Sequence, residues 1–226
     1  MEQLNPIKLF FNRIYHFLFI ERCSKTLDFK FPKNIYRWNL IKYIIDKYKL
    51  NHYLEIGCDK DQCFSHIEAK TKVGVDPISG GTVRETSDIF FKNNKNIFDI
   101  IFLDGLHTYE QTKKDVFNSL NILKPGGFIL VHDCLPRRIS HQAIPRYRGS
   151  WNGDVWKLIV ELRTLKEIDV FVSKIDYGVG VIRKRLNTNR LDLNLHNYKK
   201  LKFKDYVKYN KEYMNIYDYE ETLKKI

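Results

Sequence analysis

Four short apolar runs set the strongest limit on what this chain can fold into. They are residues 52–56 (HYLEI), 72–76 (KVGVD), 99–104 (DIIFLD) and 128–132 (FILVH). Ile, Val, Leu and Phe fill them without polar alternation, so each strand needs cover on both faces. Helical periodicity lies between them, most clearly over residues 108–123 through Val116, Leu120 and Leu123, and it stops at Pro125-Gly126-Gly127. Buried strands separated by helices predict a doubly wound α/β fold around a mainly parallel sheet. Residues 35–50 read as a helix leading into the first strand. Two later strands, 168–173 and 177–183, are joined only by Lys174-Ile175-Asp176. That link is too short for a parallel crossover, so the sheet ends in an antiparallel pair.

Open parallel sheets bind ligands outside the carboxyl ends of their strands, so the residues that follow each strand carry the chemistry. The first strand carries Glu55 near its end, and Gly57, Asp59 and Asp61 follow it. After the second comes Asp76, twenty-one residues beyond Glu55, placed to accept hydrogen bonds from the two hydroxyls of a ribose. A pyrophosphate cofactor needs glycines and an open helix N-terminus here, and Asp59 and Asp61 would repel it. S-adenosylmethionine, with a sulfonium and an ammonium, suits an acidic loop. The same two acids also serve as turn and cap residues. Ser87 and Asp88 open a helical segment, either as caps or as partners of an adenine amino group.

The third strand ends in Asp104, followed three residues later by His107. A histidine takes up a proton near neutral pH, so His107 is a candidate general base, and equally a helix-start residue bonded to Asp104. The fourth strand runs into His132 and Asp133. Asp104 and Asp133 end neighbouring strands, and two acids there orient an acceptor or hold Mg²⁺ through oxygens. His132, Trp151 and Trp156 are candidates to contact the acceptor, although tryptophans at such positions serve equally in a core.

These segments together resemble a known family. LEIG at 54–57, GVDP at 74–77, TSD at 86–88, FDIIFLDGLHTYEQ at 98–111, LKPGGFILVHDCLP at 123–136 and WNGDVWK at 151–157 are similar to class I S-adenosylmethionine-dependent methyltransferases. More narrowly, they resemble the group of macrocin-type sugar O-methyltransferases. The resemblance spans residues 35–185 and implies a Rossmann-like, seven-stranded sheet with an antiparallel last strand. It implies cofactor contacts at Gly57, Asp76 and Asp88, with the methyl donor near Asp104. Two positions depart from the family pattern. Asp61 stands where a second glycine is usual, and Cys134 follows Asp133 where metal-dependent members carry another acid.

Three parts follow: a helical extension over residues 1–34, the domain at 35–185, and an extension at 186–226. The expected reaction moves a methyl group to an oxygen or nitrogen of a small polar acceptor such as a sugar or glycan precursor. The net charge of +12 favours anionic partners, and twelve Lys/Arg against six Asp/Glu from Arg183 onward place half of it in a stretch expected to be a solvated basic tail. That charge raises an RNA methyltransferase as an alternative, yet no RNA-binding module accompanies it, which argues against nucleic acid as a partner. A binding module that has lost catalysis is the other alternative. Residues 7–20 (IKLFFNRIYHFLFI) are too interrupted to span a membrane and read as an amphipathic helix packed on the domain, with peripheral membrane contact as the second possibility. Cys23, Cys58, Cys63 and Cys134 form no C-x-x-C pair and read as reduced thiols of a cytoplasmic protein. The sequence leaves self-association open.

Overall fold

The computed structural model describes residues 5–226, so the first four residues of the expected helical extension lie outside the described residues. Helices α1 (Pro6–Tyr15) and α2 (Arg37–Tyr48) precede β1 (His52–Ile56) and β2 (Thr71–Val75). Then follow α3 (Ser87–Asn93), β3 (Phe98–Leu103), α4 (Tyr109–Ile122) and β4 (Leu123–Val131). The chain continues through α5 (Ile139–Gln142), α6 (Trp156–Arg163), β5 (Asp169–Ser173) and β6 (Val179–Arg183). It closes with α7 (Phe203–Met214), β7 (Ile216–Tyr217) and α8 (Tyr219–Lys225).

The seven strands form one sheet in the order β2-β1-β3-β4-β6-β5-β7. β6, the last of the six strands legible in the sequence, is the antiparallel one, lying between β4 and β5. The seventh, β7, adds two residues parallel to β5 at the edge. Period-two alternation divides the strand residues between two cores. Leu54, Ile56, Ile101, Leu103 and Val131 face α4, α6 and α7, whereas Tyr53, Ile100, Phe102 and Leu130 face α2. Helices therefore cover both faces, which explains the unbroken apolar runs.

The segment 186–226 is not a solvated tail. Phe203, Tyr206 and Met214 are fully buried, β7 extends the sheet, and the Thr222 hydroxyl bonds Ser173 beneath it. Its charges lie on the outer face, while its aromatic residues complete the core over α6, where Tyr206 packs against Trp156 at 4.7 Å between ring centroids. Charge count alone reports the solvent side of such a helix and misses the other.

Between β1 and β2 the described chain holds only one short 3₁₀ turn, Phe64–His66, and no α-helix. The loop after β1 consequently opens no helix N-terminus toward a phosphate.

Candidate functional site

A cavity of about 900 Å³ lies at the carboxyl ends of β1 to β4. Gly57, first residue after β1, has φ +89°, and a Cβ there would sit 2.3 Å from the Asp104 carbonyl oxygen. Only glycine lets the β1 and β3 ends approach this closely. Asp59 follows at the cavity wall in the left-handed region. Asp61 also takes the left-handed conformation, φ +60°, and its Oδ1 accepts from the Gly81 amide at 2.6 Å. The carboxylate ties the loop to the turn after β2, and it does not line the cavity. Aspartate tolerates this conformation better than most side chains, so the loop keeps its course without the second glycine.

Asp76 stands just past β2. Its Oδ2 accepts from the Asp59 amide at 3.0 Å, and its Oδ1 from Ile78 at 2.8 Å and Ser79 at 3.0 Å. Burial would raise this carboxyl, but those amides and Arg84 outweigh it and hold it below its ordinary range. The acid is thus a fixed anion on the cavity wall. Thr86, not Ser87 or Asp88, caps α3, through an Oγ1 that accepts from Ile89. Ser87 and Asp88 instead receive the Gln111 amide, at 3.2 and 3.0 Å, and both line the cavity.

Glu55 reaches the cavity from below and is 1% exposed. Burial is the largest influence on its carboxyl, which is pushed up to about 8 despite a hydrogen bond from the Tyr53 hydroxyl. The folded state then holds a proton that the unfolded chain has released, between roughly pH 4.5 and 8, so this group costs more stability as pH rises through that window. Glu55→Gln removes the slope. Urea unfolding at acid, neutral and alkaline pH should show the variant gaining on the native chain by about 1.4 kcal/mol per pH unit across the window. Parallel stability curves for the two proteins would contradict this.

Asp104, His107 and Asp133 converge at the floor. His107 Nε2 lies 3.6 Å from Asp104 Oδ1, and its Nδ1 3.3 Å from Asp133 Oδ2. Their ligand atoms all fall within 4.8 Å of one another. Asp133, itself at φ +61°, accepts from Asn152 Nδ2 at 2.6 Å. Burial raises the Asp133 carboxyl, whereas Asp104, equally buried, is held below its ordinary value by His132, His107 and Arg37. One acid is a firm anion, and its neighbour takes a proton more readily.

His132, an expected acceptor contact, lines the cavity with both of its ring nitrogens engaged. Nδ1 meets Asp104 Oδ1 at 3.0 Å and Nε2 meets the Asp176 carbonyl at 2.7 Å. Burial disfavours its charge, yet Asp104 and Asp133 raise it well above its ordinary value. It is a positioning imidazolium for Asp104. Trp156 is not an acceptor contact: it is fully buried in the core, bonding Gln142 Oε1 at 3.2 Å. Trp151 does line the cavity, with its ring edge-on to His107 at 5.8 Å. Asp154 does not cap its own helix. Its Oδ1 accepts from the Tyr109 amide at 2.7 Å and so satisfies the first amide of α4, whose N-cap is Thr108, next to His107.

Sequence reasoning missed Arg37 and Asp176. Arg37 Nη1 bonds Asp176 Oδ2 at 2.7 Å, and its Nε lies 3.5 Å from Asp104 Oδ2. Burial opposes the Asp176 charge, but His132 and Arg37 hold it far below the usual carboxylate range. The only local signal was an acid in a hairpin turn and an arginine at a helix start, both ordinary on a surface. The inner side of α1 also borders the cavity, through Asn5, Lys8, Leu9 and Asn12.

A family model described as a methyltransferase domain matches residues 49–134. Among solved structures, the chain is similar to the methyltransferase PaMTH1 of Podospora anserina, crystallised with SAH. Identity is 16%, covering 66% of this chain and 78% of that one, with a TM-score of 0.51. It is also similar to cofactor-bound Rv0187 from MTB, at 13% identity over 82% of this chain and 100% of that one, TM-score 0.51. At these identities the likeness shows the fold. No curated protein matches the chain at the sequence level.

Proposed function

We propose that this protein is a methyltransferase that moves the methyl group of S-adenosylmethionine to an oxygen or nitrogen of a small polar acceptor, with a sugar or glycan precursor as the preferred class. One observation carries the reading: the cavity at the strand ends is walled by fixed acids, Asp76 and Asp104, and no α-helix N-terminus follows β1 to receive a phosphate. A sulfonium cofactor with a ribose suits that wall, and a pyrophosphate does not. The methyltransferase-domain match over 49–134 covers the strand ends that carry both acids and supports the same reading.

The cofactor supplies an electrophilic methyl carbon that an acceptor lone pair takes by in-line displacement. In this reading Asp76 holds the ribose, Gly57 lets the cofactor approach the β1 backbone, and Glu55, Asp59, Ser87, Asp88 and Asp104 border it. His107 takes the acceptor proton, and its contacts to Asp104 and Asp133 orient the ring. Trp151 shields that ring from water. Much of the rate then comes from holding two reactants in line.

Two carboxylates and an imidazole also form a donor set that fits Mg²⁺ or Mn²⁺. A divalent cation held by Asp104, His107 and Asp133 would supply Lewis acidity to an acceptor hydroxyl. His107 serves either as base or as ligand, and dependence of turnover on the cation separates the two.

The test is calorimetric titration with S-adenosylmethionine and S-adenosylhomocysteine. The expected result is micromolar binding that weakens at least about tenfold in Asp76→Ala. A folded protein that binds neither ligand would overturn the proposal.

A further inference from the structure

Helix α1 faces the wrong way for a helix that merely packs on its domain. Its polar side turns inward: Asn12 Nδ2 bonds the Arg146 carbonyl at 2.8 Å, and His16, in the π-helical turn that continues α1, is buried against Tyr147. Its apolar side turns outward. Ile7, Phe10, Phe11, Ile14, Leu18 and Phe19 lie exposed, Ile7 at 68% and Phe19 at 71%. Leaving so large a contiguous apolar surface in water is unfavourable, and such surfaces mark interaction sites.

Charge selects the occupant. From Asn5 to Ile20 the helix carries no acid. Glu21, the next one, is turned inward, where it accepts from the Phe203 and Lys204 amides at 2.7 and 2.9 Å. The surround is basic: Arg13 and Arg22 lie on the segment, and Lys202 is bonded to the Ile20 carbonyl. Two copies meeting on this face would bring like charges together, on chains that each carry +12. An anionic lipid surface accepts both the apolar stripe and its basic rim. Among the described residues no helix is long and apolar enough to cross a membrane. The fifteen residues from Pro6 to Ile20 reach about 22 Å, short of the roughly 30 Å hydrocarbon core.

We propose that the outward face of α1 and its π-helical extension docks the protein in the plane of an anionic bilayer, with the apolar stripe in the lipid and the cavity mouth beside the head groups. The same helix borders the cavity on its inner side, so docking sets the site against the membrane surface. This holds whether or not the cofactor reading stands.

The experiment is co-sedimentation of the full chain with vesicles of phosphatidylcholine alone and of phosphatidylcholine with phosphatidylserine. Binding should require phosphatidylserine, weaken as salt rises, and fall at least about tenfold in Phe11→Ser/Phe19→Ser. Far-UV circular dichroism and thermal unfolding check that this surface variant folds as the parent does. Three results would overturn the proposal: no vesicle binding by the folded native chain, equal binding by the variant, or a solution dimer that the same substitutions disperse.

Discussion

Replacing Arg37 by methionine should cost about 3–5 kcal/mol of stability, because it strips a buried carboxylate of its closest cationic partner. Arg37 donates to Asp176 through Nη1 and through its own backbone amide, at 2.7 and 3.2 Å, and reaches Gln62 Oε1 at 3.0 Å. Methionine keeps much of the volume and none of the charge. Asp176 then relies on His132, which Asp104 also claims through Nδ1. The double variant Arg37→Met/Asp176→Asn should recover part of the loss, since it removes the orphaned charge as well. Urea unfolding of the two single variants, the double variant and the parent measures the coupling. A loss below about 1 kcal/mol for Arg37→Met would show that the cluster is solvated enough to dispense with it.

The second large effect belongs to Gly153. Its φ is +65°, and a Cβ built there would lie 1.6 Å from the His107 carbonyl oxygen, which also accepts from the Asp154 amide at 3.2 Å. The segment 151–154 is therefore clamped to the backbone that carries His107. Gly153→Ala must force the two apart, and we expect a loss of about 3 kcal/mol or more, seen as a Tm lower by roughly 6–12 °C. Gly126 is the control. Its φ is +77°, but nothing lies within 4 Å of a Cβ there. Gly126→Ala bears the backbone strain alone, about 1 kcal/mol. Equal melting temperatures for the two variants would mean that the loop yields, and that WNGD does not hold His107 in place.

The strands and the acids that end them were legible because both are local. A run such as DIIFLD needs two apolar faces, and its terminal acid must leave the sheet where the ladder stops, so Asp76 and Asp104 fall one residue past β2 and β3. His107 was legible for the same reason, three residues beyond the acid that follows β3. The short link before β6 left only an antiparallel return. These features follow from chain geometry over a few residues.

Which faces meet is settled elsewhere. Trp151 and Trp156 sit five residues apart in one motif, yet one borders the cavity and the other fills the core, because α6 begins at Trp156 and turns it inward. The partnership of Arg37 with Asp176 spans 139 positions, and no local pattern announces it. The basic segment 186–226 buries Tyr206 against Trp156 of α6 and Phe203 against Tyr206. Residues 7–20 read as an amphipathic helix packed on the domain, and tertiary packing turned the polar side of α1 inward, through Asn12 and His16. Periodicity fixes that a helix has two sides. Only the competition of all surfaces for burial decides which one faces inward.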